Sequence, residues 1–259
     1  DQYWAAFDGE ARWADVRVPA LNMGGWYDLY AAQAFTNFNG VRQHGGNAQT
    51  RHSRLIVGPW PHALSQSTRT GDVDFGRQSL VDLDALEQRW FDAWLRDVDT
   101  GLLREPPLRL FIMGANVWRD EHEWPLARTR WQQWYLHSGG HANTVIGDGT
   151  LTIAAPADEA ADGFVYDPEY PVPTRGGNNC CSPEVVPWGA HDQRCVEMRA
   201  DVLCYTSPPL AADLEVTGPV RLVLYAAHAQ PDPDRSPQLV RVRPRGYTTT
   251  RRRPTCWVA

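Results

Sequence analysis

The chain has 259 residues, of which 42% are hydrophobic and 22% charged, and a formal net charge of −6. That length accommodates one large domain or two ordinary ones and supports a buried core. The acidic balance argues against a general nucleic-acid binder, and no apolar run reaches the roughly 18 residues that a membrane-spanning helix needs. The opening stretch DQYWAAFDGE has neither the basic start nor the apolar core of a secretory signal. It also lacks an initiator methionine, so a leader farther upstream is left open and the cytoplasm is the expected compartment. Charge is unevenly spread: from His228 to Ala259 seven arginines stand against two aspartates, and no lysine occurs anywhere. Cys180, Cys181, Cys195, Cys204 and Cys256 are odd in number and lack C-x-x-C spacing, so free thiols are expected ahead of a disulfide or a metal site.

In chain order, residues 1–15 read as a helix or helix end anchored by Trp4, Phe7 and Trp13. VPALNMGG, residues 18–25, reads as a short buried strand closed by two glycines. Over 29–43, Tyr30, Ala34, Phe35, Phe38 and Val41 recur at helical spacing, and HGGN predicts a glycine stop in the left-handed region. RLIVG, residues 54–58, is a second apolar strand, so strand, helix and strand predict a parallel βαβ unit. A helix follows over 80–97, with Leu83, Leu86, Trp90 and Trp94 on one stripe and Phe91 and Leu95 beside it. LRLFIMG, residues 108–114, reads as a strand. Beyond a boundary near 115–127 the pattern changes to short β-like runs separated by Gly, Pro and Asp, which predicts a β-sandwich rather than further βαβ units. The fold class is therefore α/β followed by all-β.

Catalytic groups of parallel α/β sheets gather beyond the carboxyl ends of the strands. Asp28 follows the first predicted strand and His62 the second. A carboxylate there can accept a hydrogen bond from one imidazole nitrogen and leave the other to take a proton from a nucleophile. The other reading of Asp28 is a helix cap, since aspartate is favoured just before a helix starts. Pattern alone leaves both open.

VPALNMGGWYDLY, RLIVGPWPH, LEQRWFDAWLRDVDTG, EPPLRLFIMGANVWRDEHEWP and RWQQWYLHSGG occur in that order. Together they resemble the CocE/NonD group of serine hydrolases, which includes cocaine esterases and X-Pro dipeptidyl-peptidases, with glutaryl-7-ACA acylases and α-amino-acid ester hydrolases as relatives. The resemblance runs from about residue 1 to residue 227. It implies the C-terminal part of an α/β-hydrolase domain over 1–117, an incomplete jelly-roll β-sandwich over 118–227 and an Arg/Pro-rich tail over 228–259. It further implies that Asp28 is the acid of a Ser-His-Asp triad, that His62 is the general base, and that Tyr30 faces the acyl pocket. The implied reaction is ester or amide cleavage through an acyl-enzyme on a small-molecule or peptide substrate. It needs no cofactor and no metal, involves no nucleic acid or membrane, and leaves room for a homodimeric full-length form.

The resemblance also places a nucleophilic serine in a G-x-S-Y-x-G-like elbow ahead of the acid. No G-x-S-x-G occurs here, and every serine follows Asp28. The expectation is a fragment that supplies acid and base, lacks the nucleophile and oxyanion hole, and is inactive alone. For 228–259 a frame change in GC-rich coding sequence is favoured over a solvated basic tail. His44, His52 and His62 match no zinc motif. NVWRDEHEWP, residues 116–125, reads as a surface loop between domains, ahead of a carboxylate glycosidase site. The non-enzyme alternative is a β-sandwich module, rich in tryptophan, that binds carbohydrate.

Overall fold

The computed structural model describes residues 3, 7–64 and 67–227. The Arg/Pro-rich segment 228–259 lies outside the described residues. Within the stretch expected as a helix over 1–15, the described residues include a 3-10 helix at Glu10–Asp15. There follow β1 (Leu21–Tyr27), α1 (Ala31–His44), β2 (Arg54–Pro61), the two-residue strands β3 (Arg69–Thr70) and β4 (Val73–Asp74), α2 (Leu83–Leu95), β5 (Leu108–Ile112) and β6 (Val117–Glu121). Four of these strands form one sheet in the order β1-β2-β5-β6, the first three parallel and β6 antiparallel to β5. The expected parallel βαβ unit is β1-α1-β2.

A parallel strand covered on both faces needs apolar side chains in succession, and β2 has them. Leu55 and Val57 pack with Phe35 and Phe38 of α1 and with Leu108, Leu110 and Ile112 of β5. Ile56 and Trp60 point to the opposite face, against Leu83 and Leu86 at the start of α2. Helix α2 begins where Asp82 accepts the Ala85 N–H at 2.9 Å. Removing that cap in Asp82→Ala lowers stability by about 1 kcal/mol, read as a lower urea midpoint. Trp90 of the α2 stripe is buried, whereas Phe91 and Leu95 beside it are exposed.

Two local expectations are corrected. Gly45 ends α1 with φ −58°, not in the left-handed region. Glycine is needed there for space: a Cβ would lie 2.3 Å from Thr50 Oγ1 and 2.5 Å from the Val41 carbonyl oxygen. NVWRDEHEWP is not a surface loop. Its first half is β6, paired residue for residue with β5 from Ile112↔Val117 to Leu108↔Glu121. The sheet therefore extends past the division expected after residue 117. Trp118 packs against Trp60 and Phe111, and buried Glu121 is paired with Arg128. That guanidinium holds the Glu121 carboxyl below the usual glutamate range.

Beyond Glu121 the described residues form one antiparallel ladder, β7 (Tyr135–His137) with β8 (Thr150–Thr152), a short helix α3 (Arg194–Glu197), and isolated bridges such as Asn143↔Leu203. The other β-like runs of the sequence do not make ladders here. Prolines interrupt them at 156, 168, 171, 173, 183 and 187, each removing a backbone donor. Side chains stitch the segments instead. Asp162 accepts from Ser138 Oγ, Tyr205 Oη and the Ala142 N–H, and Asn143 donates to the carbonyls of Gly163 and Ala200. Val220, Leu222, Val223, Leu224 and Tyr225 are exposed. No helix of the described residues is long and apolar enough to cross a membrane.

Candidate active site

Strand β1 ends at Tyr27, and the chain turns at once. The Asp28 N–H donates to the Gly25 carbonyl and the Asp28 carbonyl accepts from the Ala31 N–H, each at 3.0 Å. The residue that caps α1 is Tyr30, and its side chain makes no capping bond. Asp28 Oδ1 accepts the Tyr30 N–H at 2.8 Å, which sets the turn, while the carboxylate itself is buried. The same oxygen lies 3.1 Å from His62 Nδ1. Asp28 therefore orders the loop before the helix and also holds an imidazole.

His62 directly follows the last residue of β2. What brings it beside Asp28 is the register of β1 on β2. Gly25 stands opposite Gly58, but Tyr27 stands opposite Pro61, so β2 carries one more residue across that interval. The irregularity brings the two strand ends level, and the next residue of each is Asp28 or His62. The carboxylate is 8% exposed and the imidazole 44%. An ionised carboxylate can only accept, so the proton of this hydrogen bond sits on Nδ1 and the lone pair on Nε2. This arrangement can act as a general base whose tautomer and orientation are set from the buried side.

Tyr30 is half exposed, and its ring stands edge-on to His62 with centroids 5.4 Å apart. His44 and His52 are not brought to this site; they pack against Trp13 and Trp94. Among the described residues no group of His, Cys, Asp and Glu is arranged to hold a metal ion. Cys180 and Cys181 form a disulfide between adjacent residues, contrary to the free thiols expected of them, while Cys195 and Cys204 are free. The two sulfurs share one tight turn, with Cys181 at φ +82° and a Cα–Cα separation of 3.7 Å. One contact of the site escaped the sequence reading. The Asn178 side-chain amide donates to the carbonyls of Trp26 and Asp28, at 3.2 and 2.9 Å. Its only sequence signal is the GGNN run in which it sits.

Residues 1–64, which hold Asp28 and His62, match the family pattern of X-Pro dipeptidyl-peptidase (S15 family). Residues 100–253 match that of the X-Pro dipeptidyl-peptidase C-terminal non-catalytic domain. The chain belongs to the CocE/NonD family of hydrolases. Within this family it is 36% identical over 253 residues to a cocaine esterase of Rhodococcus sp. (strain MB1 Bresler), covering 95% of the chain and 42% of that protein. It is 30% identical over 247 residues to a Mycobacterium bovis protein that carries a provisional serine-esterase name, covering 90% of the chain and 35% of that protein. The chain thus spans well under half the length of these relatives. In fold it resembles the crystal structure of an aminopeptidase from a marine sediment archaeon (Thaumarchaeota archaeon), with a TM-score of 0.60 at 24% identity, over 81% of this chain and 34% of that one. The second family pattern extends through most of 228–259, the segment expected as a tail.

Proposed function

We propose that this chain supplies the acid–base pair of a serine hydrolase that cleaves esters or amides, with Asp28 as the acid and His62 as the general base. The observation that carries the reading is the buried Asp28 carboxylate 3.1 Å from His62 Nδ1, at the ends of two adjacent parallel strands. A serine supplied by polypeptide outside these 259 residues attacks the carbonyl carbon. His62 Nε2 takes the serine proton and returns it to the leaving alcohol or amine. Water then attacks the acyl-enzyme, giving a proton to the same nitrogen, which passes it to the departing serine oxygen as the acid is released. Asp28 keeps Nδ1 protonated throughout and stabilises the imidazolium that forms at each step. Tyr30, beside the imidazole, faces the acyl group.

The pairing is tested with a fluorophosphonate probe and p-nitrophenyl butyrate. The full-length enzyme labels at its serine and turns over the ester, and Tyr30→Ala raises KM more than it lowers kcat. The 259-residue chain alone neither labels nor turns over. Turnover by the purified 259-residue chain that disappears in His62→Ala would show that the nucleophile lies within it and overturn this division of labour.

A further inference from the structure

We propose that Asn178 is a positioning residue for the catalytic acid, so that the region matching the non-catalytic C-terminal family pattern sets the geometry of the Asp28 loop. The inference rests on the serine-hydrolase reading above. Asn178 lies 150 residues from Asp28 in sequence, and its amide nitrogen spans the carbonyls of Trp26 and Asp28, on either side of the last residue of β1. A carboxamide offers two N–H donors without charge, and both are spent on this turn. Serine would offer one donor, and aspartate, of the same shape, none.

The loop carrying Asn178 is itself braced. Gly177 and Gly189 exchange N–H···O bonds of 2.7 and 3.0 Å, and Asn179 donates to the carbonyls of Gly176 and Pro187. Two residues beyond Asn178, Cys180 is joined to Cys181 by a disulfide. The far arm of the loop docks on the segment that follows His62. Gly71 bridges to Ala190, the Asp72 N–H donates to the Ala190 carbonyl at 2.7 Å, and His191 Nδ1 lies 3.2 Å from Asp72 Oδ1. Residues 175–193 thus hold the acid loop through the Asn178 side chain, and dock on residues 71–72 through backbone contacts and the His191–Asp72 pair. A shift of the acid loop by a fraction of an ångström changes the Asp28–His62 hydrogen bond, and catalytic rates are steep in such displacements.

The test uses p-nitrophenyl butyrate turnover by the full-length enzyme, with thermal midpoints measured alongside. Asn178→Asp keeps the shape but turns an acceptor toward two carbonyls; it lowers kcat by roughly 30-fold with KM within about twofold. Asn178→Ala lowers kcat by roughly 10-fold. In an Asp28→Asn background neither change costs anything further, because the effect passes through Asp28. His191→Gln weakens the far arm without touching the acid loop, lowers the thermal midpoint and keeps kcat. Wild-type kcat in both Asn178 variants, additive losses in the Asp28→Asn background, or an equal loss in His191→Gln at the same midpoint would each overturn the positioning role. If Asp28→Asn itself leaves kcat intact, the serine-hydrolase reading falls. If Asp28→Asn lowers kcat steeply while the Asn178 variants keep the wild-type kcat, only this inference falls.

Discussion

Asp28→Asn in the full-length enzyme lowers kcat for p-nitrophenyl butyrate by roughly 10⁴-fold, with KM nearly unchanged. The substitution keeps the shape of the side chain and removes its charge. A carboxamide can present its N–H₂ to His62 Nδ1, which then becomes the acceptor and leaves the proton on Nε2. That nitrogen can no longer take a proton from serine, and the imidazolium loses its counter-charge. His62→Ala removes the base itself and costs a similar factor. The double variant is no worse than the more damaging single one, since the two residues act as one unit. The folded state survives Asp28→Asn, because the side chain keeps its shape and the main-chain bonds of residue 28 to Gly25 and Ala31 are unchanged. Steady-state rates for the four proteins settle the matter, and turnover within tenfold of wild type in either single variant removes the pair from catalysis.

The second large effect is on the fold that holds the pair. Gly25→Ala destabilises the protein by about 3 kcal/mol, at the high end of what an overpacked methyl costs. A Cβ on Gly25 would lie 1.9 Å from the Trp60 carbonyl oxygen and 2.6 Å from its carbonyl carbon, so main chain would have to move. Gly24 is the internal control. Its Cβ would meet Ala34 Cβ at 3.4 Å, an ordinary contact, and Gly24→Ala shifts the urea midpoint by less than about 1 kcal/mol in equivalent stability. Because Gly25 faces β2 where the strand register slips, Gly25→Ala also moves Asp28 relative to His62 and lowers kcat in the protein that still folds. Equal midpoints for the two glycine variants would contradict the close approach of β1 to β2.

Much of the first sheet was legible because its signals are local. The run Leu55–Val57 is apolar at every position, as a strand covered on both faces must be, and Phe35, Phe38 and Val41 recur at helical spacing. The acid and base could be nominated because both directly follow such strands. Where the reading went astray, a local rule met a tertiary demand. Gly45 looked like a left-handed stop but is there to admit Thr50. The charged run at 117–121 looked like loop, because β6 is an edge strand whose alternating charges, Arg119 and Glu121, find their nearest partners outside the strand, in Glu215 and Arg128. In the second half of the chain the runs are β-like in composition, but composition says nothing about which of them find a partner strand.

The sequence by itself determined the α/β character, the helix faces, the two loops that carry Asp28 and His62, and the family to which their motifs point, because each of these is written in residues close together in the chain. Only the tertiary structure decided that the two loops meet. A 3.1 Å contact across 34 residues depends on one irregularity in strand register. It likewise decided that Asn178, with no motif of its own, reaches the acid loop from 150 residues away. Contacts of that kind are set by how strands pair and loops dock, and no local pattern of side chains encodes them.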